Sequence, residues 1–389
     1  MKANRIIWVL VVIAIINSMG FGIIIPLLYP YGKKFGITEH TIGLLTAAFS
    51  VAQFFATPVL GSLSDKWGRK PLLVFSLIGT AASFVLFGLA NSIFMLFAAR
   101  ILDGLTGGNI SVAQAMISDI STPKERAKNF GILGSAFGFG FVIGPAIGGL
   151  LSKFGLKVPF FFAAGIAIIG VLLTLFLLKE TNQKKGSKAK QKHSFSFISL
   201  YTVLKKPVIG TAIFTGFLLT MAQFTMLIGF QTFSVDQLKL NPTQIGLFYG
   251  GFGVSGILMQ MLVPAVKKVI PSQAVILLLS TICCLGMMIL AGFATALLLF
   301  AIAIGIYGLF NGLRNPMLNA IIADHNDDSE RGEVMGINQS YASIGQTLGP
   351  VTAGLVTAIS VHSIFFLSSL YILIALLFSI RLISKEKTS

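Results

Sequence analysis

Three charged side chains interrupt apolar runs long enough to lie in a membrane. Arg100 and Asp103 stand at i and i+3 of one run, and Arg314 stands in another, three residues after Asn311. At that spacing two residues share a helix face, so Arg100 and Asp103 can form an ion pair, which lowers the cost of burying either charge in lipid. The chemistry open to the pair is reversible: Asp103 accepts a proton and changes its partnership with Arg100. A neighbouring cation favours the charged form of the acid, so protonation requires the pair to separate. A permanently paired structural bridge is the competing reading. Arg314 lacks an acidic neighbour on its own helix, so it either pairs across a cavity or meets an anionic group directly. Covalent chemistry has no comparable candidates. There is no Gly-x4-Gly-Lys-Ser/Thr phosphate loop and no spaced His/Cys cluster, and Cys283 and Cys284 are adjacent in an apolar run, where they read as small hydrophobes. No catalytic residue, cofactor or metal is expected.

The elements that position these residues are membrane helices. The chain of 389 residues is 55% hydrophobic and 11% charged, too few charges to build a soluble surface, and it carries 41 glycines and 34 phenylalanines. Twelve spans of about 20 residues each can be drawn. The first six are Ile6–Pro30, Thr41–Leu63, Pro71–Ala90, Ile93–Ser118, Ala127–Leu151 and Val158–Leu178. The second six are Pro207–Phe233, Thr243–Val266, Ser272–Gly292, Ala294–Ile322, Val334–Ser360 and Ile364–Ile383. Met1 to Gly20 has a basic start, but its apolar run continues through Pro26 without a small-residue cleavage site, so it reads as a first span kept in the mature protein. Residues 179–206, rich in Lys and Ser, read as a solvated linker near anionic headgroups between halves 1–178 and 207–389.

Net charge is +16, yet the basic residues sit in short segments between apolar runs, which argues for topology and against nucleic-acid binding. With both termini in the cytoplasm, 22 of 29 Lys and Arg fall on the cytoplasmic side, and only Lys33, Lys34, Lys153, Lys157 and Lys239 on the other. A shift of 205 residues superposes Asp119, Glu125, Arg126 and Gly131 on Asp324, Glu330, Arg331 and Gly336. The register continues through Gly140/Gly345, Gly144/Gly349, Pro145/Pro350 and Gly149/Gly354. Two six-span halves repeated in parallel place a substrate cavity at their interface near the midplane.

The segment from Gly61 to Pro71, with Asp65, Gly68, Arg69 and Lys70 at fixed places, resembles the loop signature of the major facilitator superfamily. The resemblance implies an all-α membrane protein of major facilitator fold: twelve transmembrane helices in two six-helix bundles related by pseudo-two-fold symmetry. It also implies that Asp65 faces the N-terminal end of the eleventh helix and that Arg69 pairs with Asp119, in a gating charge relay that includes Glu125, Arg126 and Asp324. In span five, Gly140, Gly144, Pro145, Gly148 and Gly149 resemble the antiporter motif of drug exporters, and close helix packing is an equally sound reading of them. Span one, from Asn17 to Pro26, is similar to that of tetracycline and multidrug efflux carriers. Many of these have an acid where Asn17 stands, so that proton site is missing and coupling falls on Asp103, with Arg100 beginning a fourth-span motif that the family associates with protons.

Candidate substrate-cavity residues are Asn17, Phe21, Gln53, Gln114, Phe137, Gln223, Phe224, Tyr249, Tyr307, Asn311, Arg314 and Tyr341, an aromatic set with sparse polar handles suited to amphiphilic molecules. The expected function is proton-coupled efflux of amphiphilic drugs, tetracycline-like or broader, by alternating access. The alternative is a symporter or uniporter of a metabolite, anionic in one version. A membrane enzyme or sensor would need a catalytic cluster or attached domain that the sequence does not offer. The expected partners are a small-molecule substrate, protons and lipids, and the expected state is a monomer in the inner membrane.

Overall fold

The computed structural model describes residues 2–182, 197–326, 331–356 and 359–386, and every regular element among them is helical. Most of the expected linker lies outside the described residues, as do Glu330 and the side chains of Arg126 and Arg331. The chain divides into two compact units, Met1–Ala189 with Leu240–Gly250, and Lys190–Lys239 with Gly251–Ser389.

The first unit contains α1 (Lys2–Ile24), α2 (Leu28–Lys33), α3 (Glu39–Trp67), α4 (Arg69–Leu89), α5 (Ile93–Thr106), α6 (Asn109–Ile120), α7 (Pro123–Leu151) and α8 (Val158–Leu177). Within it α7 lies along α1, α4 along α8 and α3 along α5. The second unit contains α9 (Phe197–Leu204), α10 (Pro207–Asp236), most of α11 (Pro242–Met261), α12 (Val263–Val269), α13 (Gln273–Phe293), α14 (Leu297–Asp324), α15 (Arg331–Val356) and α16 (Ser363–Glu386). Here α10 packs on α15 and α13 on α16, the repeat equivalents of the first unit's pairs.

Nine helical segments are long and apolar enough to cross a membrane, and two bent pairs bring the number to eleven among the described residues. One pair turns by 40° between Thr57 and Val59, where the intervening proline has no N–H to donate; the other turns by 51° after Met261, with Pro264 in the first turn of α12. The expected eleventh span is the helix α15, but it falls outside this set because Asn338, Gln339, Ser340, Ser343, Gln346 and Thr347 dilute its apolar content. The expected fourth span is a single crossing with a break. Its helix stops at Thr106 and restarts at Asn109, with tight turns from Gly107 N–H to the Gly104 carbonyl and from Gly108 N–H to the Thr106 carbonyl.

Candidate functional site

At one end of the first unit a charge cluster joins four segments. Arg69 Nη2 lies 2.5 Å from Asp65 Oδ1, its Nε lies 3.2 Å from Asp119 Oδ2, and its Nη1 donates to Ser64 Oγ at 2.6 Å. Gly68, between α3 and α4, has φ +108°, a conformation that a side chain resists, and it offers no cap to the α4 N-terminus. Glu180 fills that role. Its Oε1 accepts from the Arg69 N–H at 3.0 Å and its Oε2 from the Lys70 N–H at 3.1 Å, while the Thr181 and Asn182 N–H groups donate to Oε1. The Thr181 hydroxyl donates to Asp119 and the Asn182 amide to the Asp65 carbonyl, so the chain after α8 folds under the loop signature. Sequence reasoning passed over Glu180 because an acid directly after an apolar run reads as a solvated end. Glu125 accepts from the Thr122 hydroxyl at 2.8 Å, a local helix-start contact, and Asp324 accepts from Gln273 Nε2 at 2.9 Å in the second unit.

The glycines of α7 let it touch the backbone of α1. A methyl group at Gly144 would stand 2.6 Å from the Met19 carbonyl oxygen, and methyls at Gly140 and Gly148 would overlap the carbonyls of Ile15 and Ile23. Pro145 sits within α7, its ring against Gly22, and Gly149 lies against Pro242 and Gly246. The repeat glycines Gly345 and Gly349 meet α10 in the same way, at Phe217 and Met221.

Near the break between α5 and α6 the amides cluster. Asn109 Nδ2 donates to Asn17 Oδ1 at 2.5 Å, and Gln53 Nε2 donates to the Gly107 carbonyl at 3.2 Å, covering a carbonyl that the break frees. Arg100 and Asp103 lie one to two turns earlier on α5, 3% and 6% exposed. Their nearest charged atoms, Nη1 and Oδ2, are 4.0 Å apart, beyond hydrogen-bond reach. The guanidinium is surrounded by Phe49, Phe87 and Phe21, with centroids 5.4, 5.8 and 6.0 Å away, and its Nε and Nη1 have no hydrogen-bond partner among the described residues. Thr80 and Ser83 stand near the Asp103 carboxylate, where the Ser83 hydroxyl donates to the Thr80 carbonyl at 2.8 Å. Asp103 is the one buried carboxylate among the described residues.

In the second unit Arg314, 6% exposed, donates from Nη1 to the Leu219 carbonyl and from Nη2 to Gln223 Oε1, both at 2.8 Å. Tyr307 stacks on Phe252 and, with Asn311 and Arg314, lines a tight cavity. The remaining candidates scatter: Phe21 stacks on Phe141, Phe137 packs against the apolar core of the first unit, Gln114 is half-buried, Phe224 touches α15 near Gly349, Tyr249 is buried and Tyr341 meets Phe217 edge-on.

Helices of this length and apolarity, with buried charges deep in their spans and a charge cluster at one end, define a polytopic membrane protein. The chain belongs to the Major Facilitator Superfamily, whose family model matches residues 10–304 and 271–389. It is similar to the tetracycline resistance protein, class C, of Escherichia coli, at 31% identity over 92% of this chain and 90% of that protein. It is also similar to multidrug resistance protein 2 of Bacillus subtilis (strain 168), at 29% identity over 95% of this chain and 92% of the relative. Its fold matches the crystal structure of a bacterial homolog of the human lysosomal transporter Spinster, inward-facing and occupied, with a TM-score of 0.78 at 15% identity over 97% of this chain and 96% of the other.

Proposed function

We propose that this chain is a secondary active transporter that exports amphiphilic drugs in exchange for protons, and that it acts as a carrier and not as an enzyme. Asp103 carries the proposal, as the one buried carboxylate among the described residues, loosely paired with a buried arginine. When Asp103 takes a proton, Arg100 loses its counter-charge but keeps three aromatic faces, each worth about 0.5–2 kcal/mol. Arg100 faces the carboxylate, and the hydroxyl oxygens of nearby Thr80 and Ser83 can accept from the carboxylic acid. Both protonation states therefore have partners, as a group that cycles between them requires.

The rest of the reading is organisational. Halves 1–178 and 207–389, joined by the linker 179–206, rock to expose the cavity alternately to each side, with both termini in the cytoplasm of a cell whose inner membrane holds the protein as a monomer. The cluster of Asp65, Arg69, Asp119 and Glu180 latches the cytoplasmic end. The sequence relatives, named for tetracycline and multidrug resistance, support drug export. The test uses inverted membrane vesicles with an imposed proton gradient and tetracycline as probe. Accumulation that collapses on adding a protonophore is expected; uptake indifferent to the protonophore would replace exchange by uniport.

A further inference from the structure

Arg314 and Arg100 are both buried, but they are held differently. Arg100 has a carboxylate at 4.0 Å, whereas Arg314 forms no ion pair among the described residues. Its nearest titratable neighbours are the Tyr307 phenol and the Cys284 thiol, both ordinarily neutral near pH 7. The acceptors around it are also neutral: the Leu219 carbonyl, Gln223 Oε1 and, at a long 3.4 Å, Asn315 Oδ1. A guanidinium has five N–H donors, so three acceptors leave two unused. A full positive charge in the interior of a membrane helix, met only by dipoles, is an expensive arrangement that is retained at sites of function.

The cavity beside it shares this bias toward donors. Tyr307 is 2% exposed, and its hydroxyl has no hydrogen-bond partner among the described residues; the Asn311 side chain has none either. The Ser280 and Thr281 hydroxyls have spent their protons on the Leu277 carbonyl within α13, and the cavity contains no carboxylate. Its free space is about that of one water molecule, the size of a carboxylate oxygen and far short of a whole drug.

The geometry points to a site for an anionic group: we infer that Arg314, Tyr307 and Asn311 receive the carboxylate of an amphiphilic substrate, whose apolar body stays outside the cavity. The site makes the carrier selective for anionic or zwitterionic amphiphiles over purely cationic ones, and it rests on the transport reading above. Free chloride presents similar chemistry, so the test separates the two sources. The full-length protein in nanodiscs is titrated with 4-phenylbutyrate, its methyl ester and 4-phenylbutyltrimethylammonium, followed by calorimetry and thermal stabilisation, with and without sodium chloride. The wild type is expected to bind the acid at least about tenfold more tightly than the ester, with the cation weakest, and chloride should compete with the acid. Arg314→Gln should erase the preference for acid over ester. Tyr307→Phe, which removes only the hydroxyl and keeps the test decisive if Arg314→Gln does not fold, should reduce it several-fold. Equal or absent binding of acid and ester by the wild type, or an undiminished preference in both variants, would overturn the assignment. So would chloride binding that the acid does not displace. Proton-driven accumulation of zwitterionic tetracycline by the wild type is measured in parallel: its absence counts against export, while the acid-to-ester ratio alone decides the anionic site.

Discussion

Removing the Glu180 carboxylate should loosen the first unit by a measurable amount. Glu180 accepts four backbone N–H bonds at 2.9–3.1 Å, two of them at the start of α4, where Gly68 supplies no side-chain cap. Losing a helix cap costs about 1 kcal/mol, and losing a negative charge at a helix N-terminus about 0.3–1 kcal/mol more. The Thr181 and Asn182 N–H groups are half-exposed, and water replaces much of what they lose. The sum for Glu180→Ala is about 2 kcal/mol, and about half that for Glu180→Gln, which keeps an acceptor oxygen without the charge. At about 2–4 °C per kcal/mol for a unit of this size, the alanine variant should melt about 4–8 °C lower, with glutamine between it and the wild type. The assay is thermal unfolding of the purified protein in one detergent, with Glu180→Asp as a third variant. An alanine variant melting within about 1 °C of the wild type would refute the argument that this carboxylate caps α4.

Other consequences follow from the same geometry. Gly144→Ala places a methyl 2.6 Å from the Met19 carbonyl and should destabilise by about 1–3 kcal/mol, whereas Gly131→Ala on the same helix meets nothing within 4 Å and should be neutral or slightly stabilising; paired melting curves check the contrast. Arg69→Lys replaces a fork that spans Asp65, Asp119 and Ser64 with a point charge, and should cost about 1–2 kcal/mol while lowering the rate of proton-driven uptake more than substrate affinity. Vesicle transport rates and binding isotherms for that variant separate the two effects.

Much of this organisation is legible in the sequence because it rests on patterns that one chain displays alone. The 205-residue repeat becomes paired packing: Gly140 and Gly144 against α1, Gly345 and Gly349 against α10. The loop signature becomes the Arg69 cluster, and the i, i+3 spacing of Arg100 and Asp103 becomes a buried pair. What was missed depends on contacts between segments far apart in the chain. Glu180 is 111 residues from Arg69, and nothing local marks it as a cap. The break after Thr106 is hidden because Gly107 and Gly108 lie inside an apolar run long enough to cross a membrane, and only Gln53, reaching across from α3, shows that a carbonyl there needs a donor. Asn17, read as an absent acid, is one half of an amide pair with Asn109. α15 lies where the sequence places the eleventh span, and its Asn, Gln and Ser residues make it less apolar than the other spans.

The most direct test of the account is the behaviour of Asp103→Asn, which keeps the size of the side chain beside Arg100 but holds no exchangeable charge. In proteoliposomes the wild type should accumulate labelled tetracycline against its gradient when a proton gradient is imposed. It should also exchange labelled for unlabelled tetracycline when no gradient is present. The variant should retain exchange and lose accumulation, since alternating access survives while proton coupling does not. Full uphill accumulation by Asp103→Asn would contradict the account and remove Asp103 from the coupling mechanism.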